Sequence, residues 1–177
     1  MSLPNLITIM RILLVPVAVW LVISEHYGAA LTVFVVAGIS DGIDGYLARR
    51  WNARTELGGY LDPLADKALL VSLYVVLGVE HIIPAWLVIL VVSRDLLIVS
   101  AVLLSWVLDK PVAISPMMTS KVNTTMQILF VIVVLGMLAV GLHSELLRMS
   151  GMAAVAALTV ASGALYLREW LRHMAAT

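Results

Sequence analysis

Six apolar runs, each close to the length needed to cross a bilayer, constrain this chain more than any other feature. They lie at Leu6–Ile23, Ala29–Arg49, Leu61–Val79, Pro84–Trp106, Met117–Val140 and Leu146–Leu171, against a requirement of about 20 residues for a helix that spans the hydrocarbon core. The links between them are short: SEHYG, RWNARTELGG, VEHI, VLDKPVAIS and GLHSE. Closely linked spans in lipid must satisfy their backbone N–H and C=O groups within each segment, which leaves helices as the workable choice. Composition agrees, with 62% of the 177 residues hydrophobic and only 12% charged, where a soluble domain is about a quarter charged. The expected fold class is therefore all-α, a polytopic membrane protein with six transmembrane helices built by residues 1–177 as a single domain. No linker, low-complexity segment or internal repeat is visible in the sequence.

The distribution of charge sets an expected orientation. Arg11, Arg49, Arg50, Arg54, Lys67, Lys110, Lys121, Arg168 and Arg172 fall on one side of such a six-span arrangement. The other side receives only Arg148, and Arg94 is left near the middle of the fourth span. Basic residues favour the cytoplasmic side, so both termini are expected there. The formal net charge of zero argues against a nucleic-acid-binding protein. There is no cysteine, hence no disulfide framework and no thiol chemistry. The opening MSLPNLITIMR has neither the basic start of a secretory signal nor an Arg- and Ser-rich transit composition. A multi-pass protein of a bacterial inner (cell) membrane is the expectation.

Within this apolar chain, residues 41–67 read DGIDGYLARRWNARTELGGYLDPLADK. Asp41 and Asp44 are three residues apart and Asp62 and Asp66 four apart, so each pair shares one face of a helix. Carboxylates within membrane spans are unfavourable and mark a functional site by default. Gly38, Asp41, Asp44, Gly45 and Ala48 form one stripe of the second span, whose small residues allow close approach to the backbone. Two carboxylate pairs suit hard divalent cations, Mg²⁺ or Mn²⁺, with substrate phosphates completing the coordination. Arg49, Arg50, Arg54 and Lys67 at the same edge offer further charge for phosphate. On residue types alone, two other readings stay open: a cation or proton transporter, and structural ion pairing of the Asp residues with nearby Arg and Lys.

Written in full, the pattern is Asp41-x2-Asp44-Gly45-x2-Ala48-Arg49-x8-Gly58-x3-Asp62-x3-Asp66. All eight fixed positions match the signature of the CDP-alcohol phosphatidyltransferases, and the chain resembles that family over nearly its whole length. The resemblance implies transfer of a phosphatidyl group from CDP-diacylglycerol to an alcohol with release of CMP. It also implies a divalent-metal site of two ions on Asp41, Asp44, Asp62 and Asp66, with Asp66 as the catalytic general base. Asn5, Thr8, Gly45, Ala48, Arg49 and Gly58 are expected against the CDP-lipid. A homodimer and an active site facing the cytoplasm are further implications.

The acceptor should be chosen by the second half of the chain. Arg94 and Asp95 sit near the centre of the fourth span, where a buried Arg needs a partner or an anionic ligand. A structural pair between the two remains open. Lys121, Asn123, Thr124 and Gln127 recur at helical spacing in the fifth span, and Arg94, Lys121, Asn123 and Thr124 are the expected acceptor-binding residues. Two branches of the family compete. Phosphatidylglycerophosphate synthases, which use glycerol 3-phosphate, resemble the chain through PNLITIMR and LDPLADK but typically carry Gly-Arg-Glu and a second Lys at position 123. Cardiolipin synthases of the CDP-alcohol type carry Ser-Arg-Asp and Ser-Lys-Val-Asn-Thr, as here in Ser93-Arg94-Asp95 and Ser120-Lys121-Val122-Asn123-Thr124. One fewer cation suits phosphatidylglycerol, a monoanionic diester, so this acceptor and a cardiolipin product are favoured.

The remaining features point to structure. His26, His81 and His143 fall in links on the non-cytoplasmic side, and the Trp residues lie mostly near span ends. Gly151, Ala153, Ala154, Ala157, Ala161 and Gly163 make the last span small-sided, as for helix packing or a dimer seam.

Overall fold

The computed structural model describes the backbone of residues 3–50, 56–107 and 118–176, and the side chains of residues 10–40, 67–101 and 118–173. Six helices occupy the described residues: α1 Leu3–Ile23, α2 Tyr27–Arg50, α3 Glu56–Val79, α4 Ala85–Val107, α5 Met118–Ala139 and α6 Glu145–Ala176. Each coincides with one apolar run. Two run well past the apolar stretch: α3 begins at Glu56 rather than near Leu61, and α6 continues to Ala176. Backbone hydrogen bonding does not stop where lipid-soluble side chains do. α1 carries Pro4 in its first turn, where a missing N–H is harmless, and Pro16 in its interior.

The chain forms two compact units. The first comprises residues 1–83 and 131–143, in which α1 packs on both α2 and α3. Its described core is mainly apolar, with Ala18 and Val22 from α1, Phe34 and Ala37 from α2, Leu73, Tyr74 and Leu77 from α3, and Val131 and Leu135 from the end of α5. Small residues bring α2 and α5 close, since a Cβ on Gly28 would lie 3.7 Å from that of Ala139 and one on Gly136 3.9 Å from Leu31.

The second unit comprises residues 84–130 and 144–177, with α4, the first part of α5 and α6. Leu87, Val91, Phe130 and Val155 supply apolar packing. Gly151 is a tight point, because a Cβ there would come within 2.6 Å of the Phe130 ring. Only part of the small-residue face of α6 is used in this way. Gly151, Ala154 and Gly163 are partly covered, whereas Ala153, Ala157 and Ala161 are exposed.

One local device recurs that the sequence did not reveal. α1, α3 and α5 all end in the same pair of backbone bonds. At α1, Glu25 N–H donates to Val22 O at 3.0 Å and His26 N–H to Leu21 O at 2.8 Å. At α3, His81 donates to Gly78 at 3.1 Å and Ile82 to Leu77 at 2.9 Å, and at α5, Gly141 donates to Leu138 at 3.2 Å and Leu142 to Met137 at 2.8 Å. The turning residue of each is left-handed, with φ of 60° at Glu25, 56° at His81 and 66° at Gly141. These are Schellman caps, which satisfy carbonyls that a helix end would leave orphaned. α6 begins with Ser144 as its cap, the Oγ accepting from Leu147 N–H at 3.4 Å.

The surface is inverted relative to a soluble protein. Trp20, Ile89, Leu96 and Val160 are among many large apolar side chains more than half exposed, while Arg11, Arg94, Asp95, Asn123 and Gln127 are buried. Exposed Thr32 and Thr125 return their hydroxyls to backbone carbonyls of their own helices, at 2.8 Å to Gly28 O and 3.0 Å to Lys121 O. Among the described residues Met118–Ala139 and Glu145–His173 are each long and apolar enough to cross a membrane, and Met10–Ile23, Tyr27–Ser40 and Lys67–Val79 form shorter apolar helical stretches. Apolar exposure among the described residues on this scale suits a lipid environment.

Candidate active site

The motif residues fall on three helices of one unit. Asn5 and Thr8 lie in the first turns of α1, Asp41, Asp44, Gly45, Ala48 and Arg49 near the end of α2, and Gly58, Asp62 and Asp66 in the first half of α3. The backbone is helical through both Asp segments, so Asp41 and Asp44 share a face, as do Asp62 and Asp66. The side chains of all these residues lie outside the described residues, and the predicted metal and CDP-lipid contacts therefore do too. Among the described residues no cluster of three His, Asp or Glu could hold a metal ion. The donor set suits one nonetheless: four carboxylates with no sulfur or imidazole in the motif match a hard, oxygen-ligated divalent cation. Arg11, one turn past Thr8 on α1, is 3% exposed. Its side chain is enclosed by protein.

The acceptor residues predicted from sequence belong to the other unit, where the structure resolves their surroundings. Arg94 lies near the middle of α4 and is 4% exposed. Its Nη1 donates to Asp95 Oδ1 at 2.8 Å. Its Nη2 donates to Ser120 Oγ on α5 and to Ser162 Oγ on α6, both at 2.6 Å. The guanidinium thus ties three helices together, and the pairing with Asp95 left open from sequence is present. A buried charge of this kind is tolerable because Asp95 pairs with it and two serine hydroxyls accept from it.

One turn along α5, Asn123 is fully buried. Its Oδ1 accepts from Thr159 Oγ1 of α6 at 3.0 Å, and Thr159 Oγ1 accepts in turn from Gln127 Nε2 at 3.4 Å. Lys121 is exposed and Thr124 half-buried. Of the four predicted acceptor residues, Arg94 and Asn123 are therefore brought into one polar core, while Lys121 and Thr124 occupy other faces of α5.

Sequence reasoning missed the α6 contribution. Thr159, Ser162 and Tyr166 are buried on one stripe of that helix, continuing the line of Gly151 and Val155. The small residues around them drew attention to packing. The available signal was three hydroxyl side chains at spacings of three and four within TVASGALY.

With this geometry in hand, similarity to known proteins decides the family. The family model for CDP-alcohol phosphatidyltransferase matches residues 1–169. This chain belongs to the CDP-alcohol phosphatidyltransferase family. Among its relatives, the human cardiolipin synthase (CMP-forming) is 38% identical over 146 residues, covering 73% of this chain and 48% of that protein. A putative cardiolipin synthase of Mycobacterium tuberculosis is 36% identical over 109 residues, covering 60% of this chain and 51% of that protein. A chloroplastic CDP-diacylglycerol–glycerol-3-phosphate 3-phosphatidyltransferase of Oryza sativa is 34% identical over 148 residues, covering 74% of this chain and 45% of that protein. The chain spans about half the length of these curated relatives. The family match spans both units, so the Asp motif of α2 and α3 and the polar core of α4, α5 and α6 belong to one phosphatidyltransferase sequence.

Proposed function

We propose that this chain transfers the phosphatidyl group of CDP-diacylglycerol to phosphatidylglycerol, forming cardiolipin and CMP. The donor half of this reading rests on the eight-residue Asp motif carried on helical backbone in α2 and α3. The acceptor half is supported by two observations: relatives named cardiolipin synthase in several organisms, and the Ser93-Arg94-Asp95 and Ser120–Thr124 segments. The family assignment favours transferase chemistry over ion transport as the use of the intramembrane carboxylates.

In this reading Asp66 takes the proton of the acceptor hydroxyl as that oxygen attacks the phosphorus bearing diacylglycerol. The bond from that phosphorus to the CMP oxygen breaks, and CMP departs with the electron pair. Asn5, Thr8, Gly45, Ala48, Arg49 and Gly58 hold the CDP-lipid, with Arg49 beside its phosphates. Asp41, Asp44, Asp62 and Asp66 would hold divalent ions, Mg²⁺ or Mn²⁺, which when bound neutralise diphosphate charge and stabilise the leaving group. Arg94 and Asn123, with Lys121 and Thr124 nearby in sequence, form the acceptor side.

Residues 1–177 are read as one six-span membrane domain, with both termini and the active site cytoplasmic in a bacterial inner membrane, working as a homodimer. A site at headgroup depth keeps acyl chains in lipid while the CDP group faces water.

A second reading, phosphatidylglycerophosphate synthesis, is favoured by the rice relative, whose name specifies glycerol 3-phosphate. The purified chain, given CDP-diacylglycerol and Mg²⁺ or Mn²⁺, should release CMP and form cardiolipin with phosphatidylglycerol. Turnover with glycerol 3-phosphate alone would replace the first reading by the second. Asn123→Lys is a poor substitute for this assay, because the ammonium would enter a fully buried position and destabilise the chain whatever its acceptor.

A further inference from the structure

The second unit places hydroxyls of α6, a helix that carries no part of the Asp motif, inside the acceptor side. Thr159 is 1% and Ser162 2% exposed. Two bridges join α5 and α6 one turn apart. Ser120 and Ser162 meet at Arg94 Nη2, and Asn123 meets Thr159, three residues further along α5 and three residues back along α6. A hydroxyl has a single proton. Thr159 gives it to Asn123 Oδ1 and accepts from Gln127 Nε2, so the carboxamide of Asn123 is turned with its oxygen toward α6 and its Nδ2 away. That Nδ2 is enclosed and has no hydrogen-bond partner among the described residues, and the same holds for Nε of Arg94. Buried donors are nearly always satisfied. Two unsatisfied ones, on neighbouring helices of one polar core, mark a place that oxygen atoms of a ligand would complete.

We propose that Thr159 and Ser162 are positioning residues for the acceptor. Ser162 holds the Arg94 guanidinium, and Thr159 fixes the rotation of the Asn123 amide, so that Nε and Nδ2 are the donors offered to acceptor phosphate oxygens. The inference rests on reading α4–α6 as the acceptor side, though not on which phosphate-bearing alcohol is used. It makes α6 a determinant of acceptor affinity without contact between its own side chains and the reacting atoms.

The test measures CMP release by the full chain in detergent, with Mg²⁺ or Mn²⁺, as phosphatidylglycerol, glycerol 3-phosphate and CDP-diacylglycerol are each varied. Thr159→Val, which keeps shape and removes the hydroxyl, is expected to raise the acceptor KM about fivefold, the scale of one lost neutral hydrogen bond. The KM for CDP-diacylglycerol and kcat should stay near wild type. Thr159→Ser should restore the acceptor KM, Ser162→Ala should raise it, and Val160→Ala, on the exposed side of α6, should not move it. An unchanged acceptor KM in Thr159→Val overturns the proposal. So does a parallel rise in both substrate KM values accompanied by a lowered melting temperature, which would make Thr159 a packing residue. If the wild type uses only glycerol 3-phosphate, the cardiolipin reading fails, and the same KM comparison on that acceptor still decides the proposal. If it releases no CMP with either acceptor, the transferase reading fails and the proposal falls with it.

Discussion

The two units of this chain bury opposite kinds of side chain. Among the described residues, the unit built on α1, α2 and α3 has a core of Ala, Val, Leu, Phe and Tyr, with Arg11 as its buried charge. The unit built on α4, α5 and α6 buries Arg94, Asp95, Asn123, Gln127, Thr159 and Ser162. In the first, the chemical groups belong to a motif contained within residues 41–66 and read by local spacing. In the second, the polar groups find one another across 26, 36 and 68 residues of sequence. The proposed reaction, with one donor and an acceptor to be selected, would be well served by this contrast. In the proposed reading, the donor chemistry belongs to a short local pattern, and acceptor selectivity to a network that single substitutions can retune.

The sharpest way to break the comparison is at its catalytic end. Asp66→Asn should lower CMP release by about 10²–10⁴-fold, the usual contribution of a general base, while CDP-diacylglycerol still binds in a direct binding assay. Turnover near the wild-type level would remove Asp66 from the base role. Next comes the charge at the heart of the second unit. Arg94→Met should destabilise the chain by about 3–5 kcal/mol, because it removes the 2.8 Å partner of buried Asp95 and leaves two serine hydroxyls without their donor. Thermal unfolding in detergent would check this, and a melting temperature within a degree of wild type would show that the network is not structural.

Packing gives a smaller effect. Gly151→Ala puts a methyl group 2.6 Å from the Phe130 ring and should cost about 1–3 kcal/mol, as overpacked cores do. Combining it with Phe130→Leu should recover part of that loss in a double-mutant cycle. Gly163→Ala is the matched control, since its Cβ would sit an ordinary 3.6 Å from Arg94 Cγ. Smallest of all, His81→Gly should stabilise the end of α3 by about 1 kcal/mol by relieving a left-handed residue. A loss of stability would mean that the His81 side chain contributes more than its backbone strain costs.

The number and order of the helices were legible as apolar runs because lipid imposes the same length and composition on every span. Helix ends were less so. Glu25 and His81 are not glycines, so two of the three left-handed caps carried no compositional signal. Position 123 shows a subtler limit. Residue type alone made Asn123 an expected acceptor residue, and the structure adds that its Oδ1 is buried against Thr159. A residue 36 positions away decides how that amide is turned, and spacing within α5 could not disclose it.

By itself the sequence determined an all-helical, apolar chain and the family, through eight residues at fixed separations. Helical periodicity is local, so it survives in a one-dimensional string. Only the tertiary structure decided what the second half does with its polar residues. It turned Arg94 inward onto Ser120 and Ser162, and it brought Thr159 to Asn123. Hydrogen bonds between helices depend on which faces meet, and that depends on packing of the whole unit.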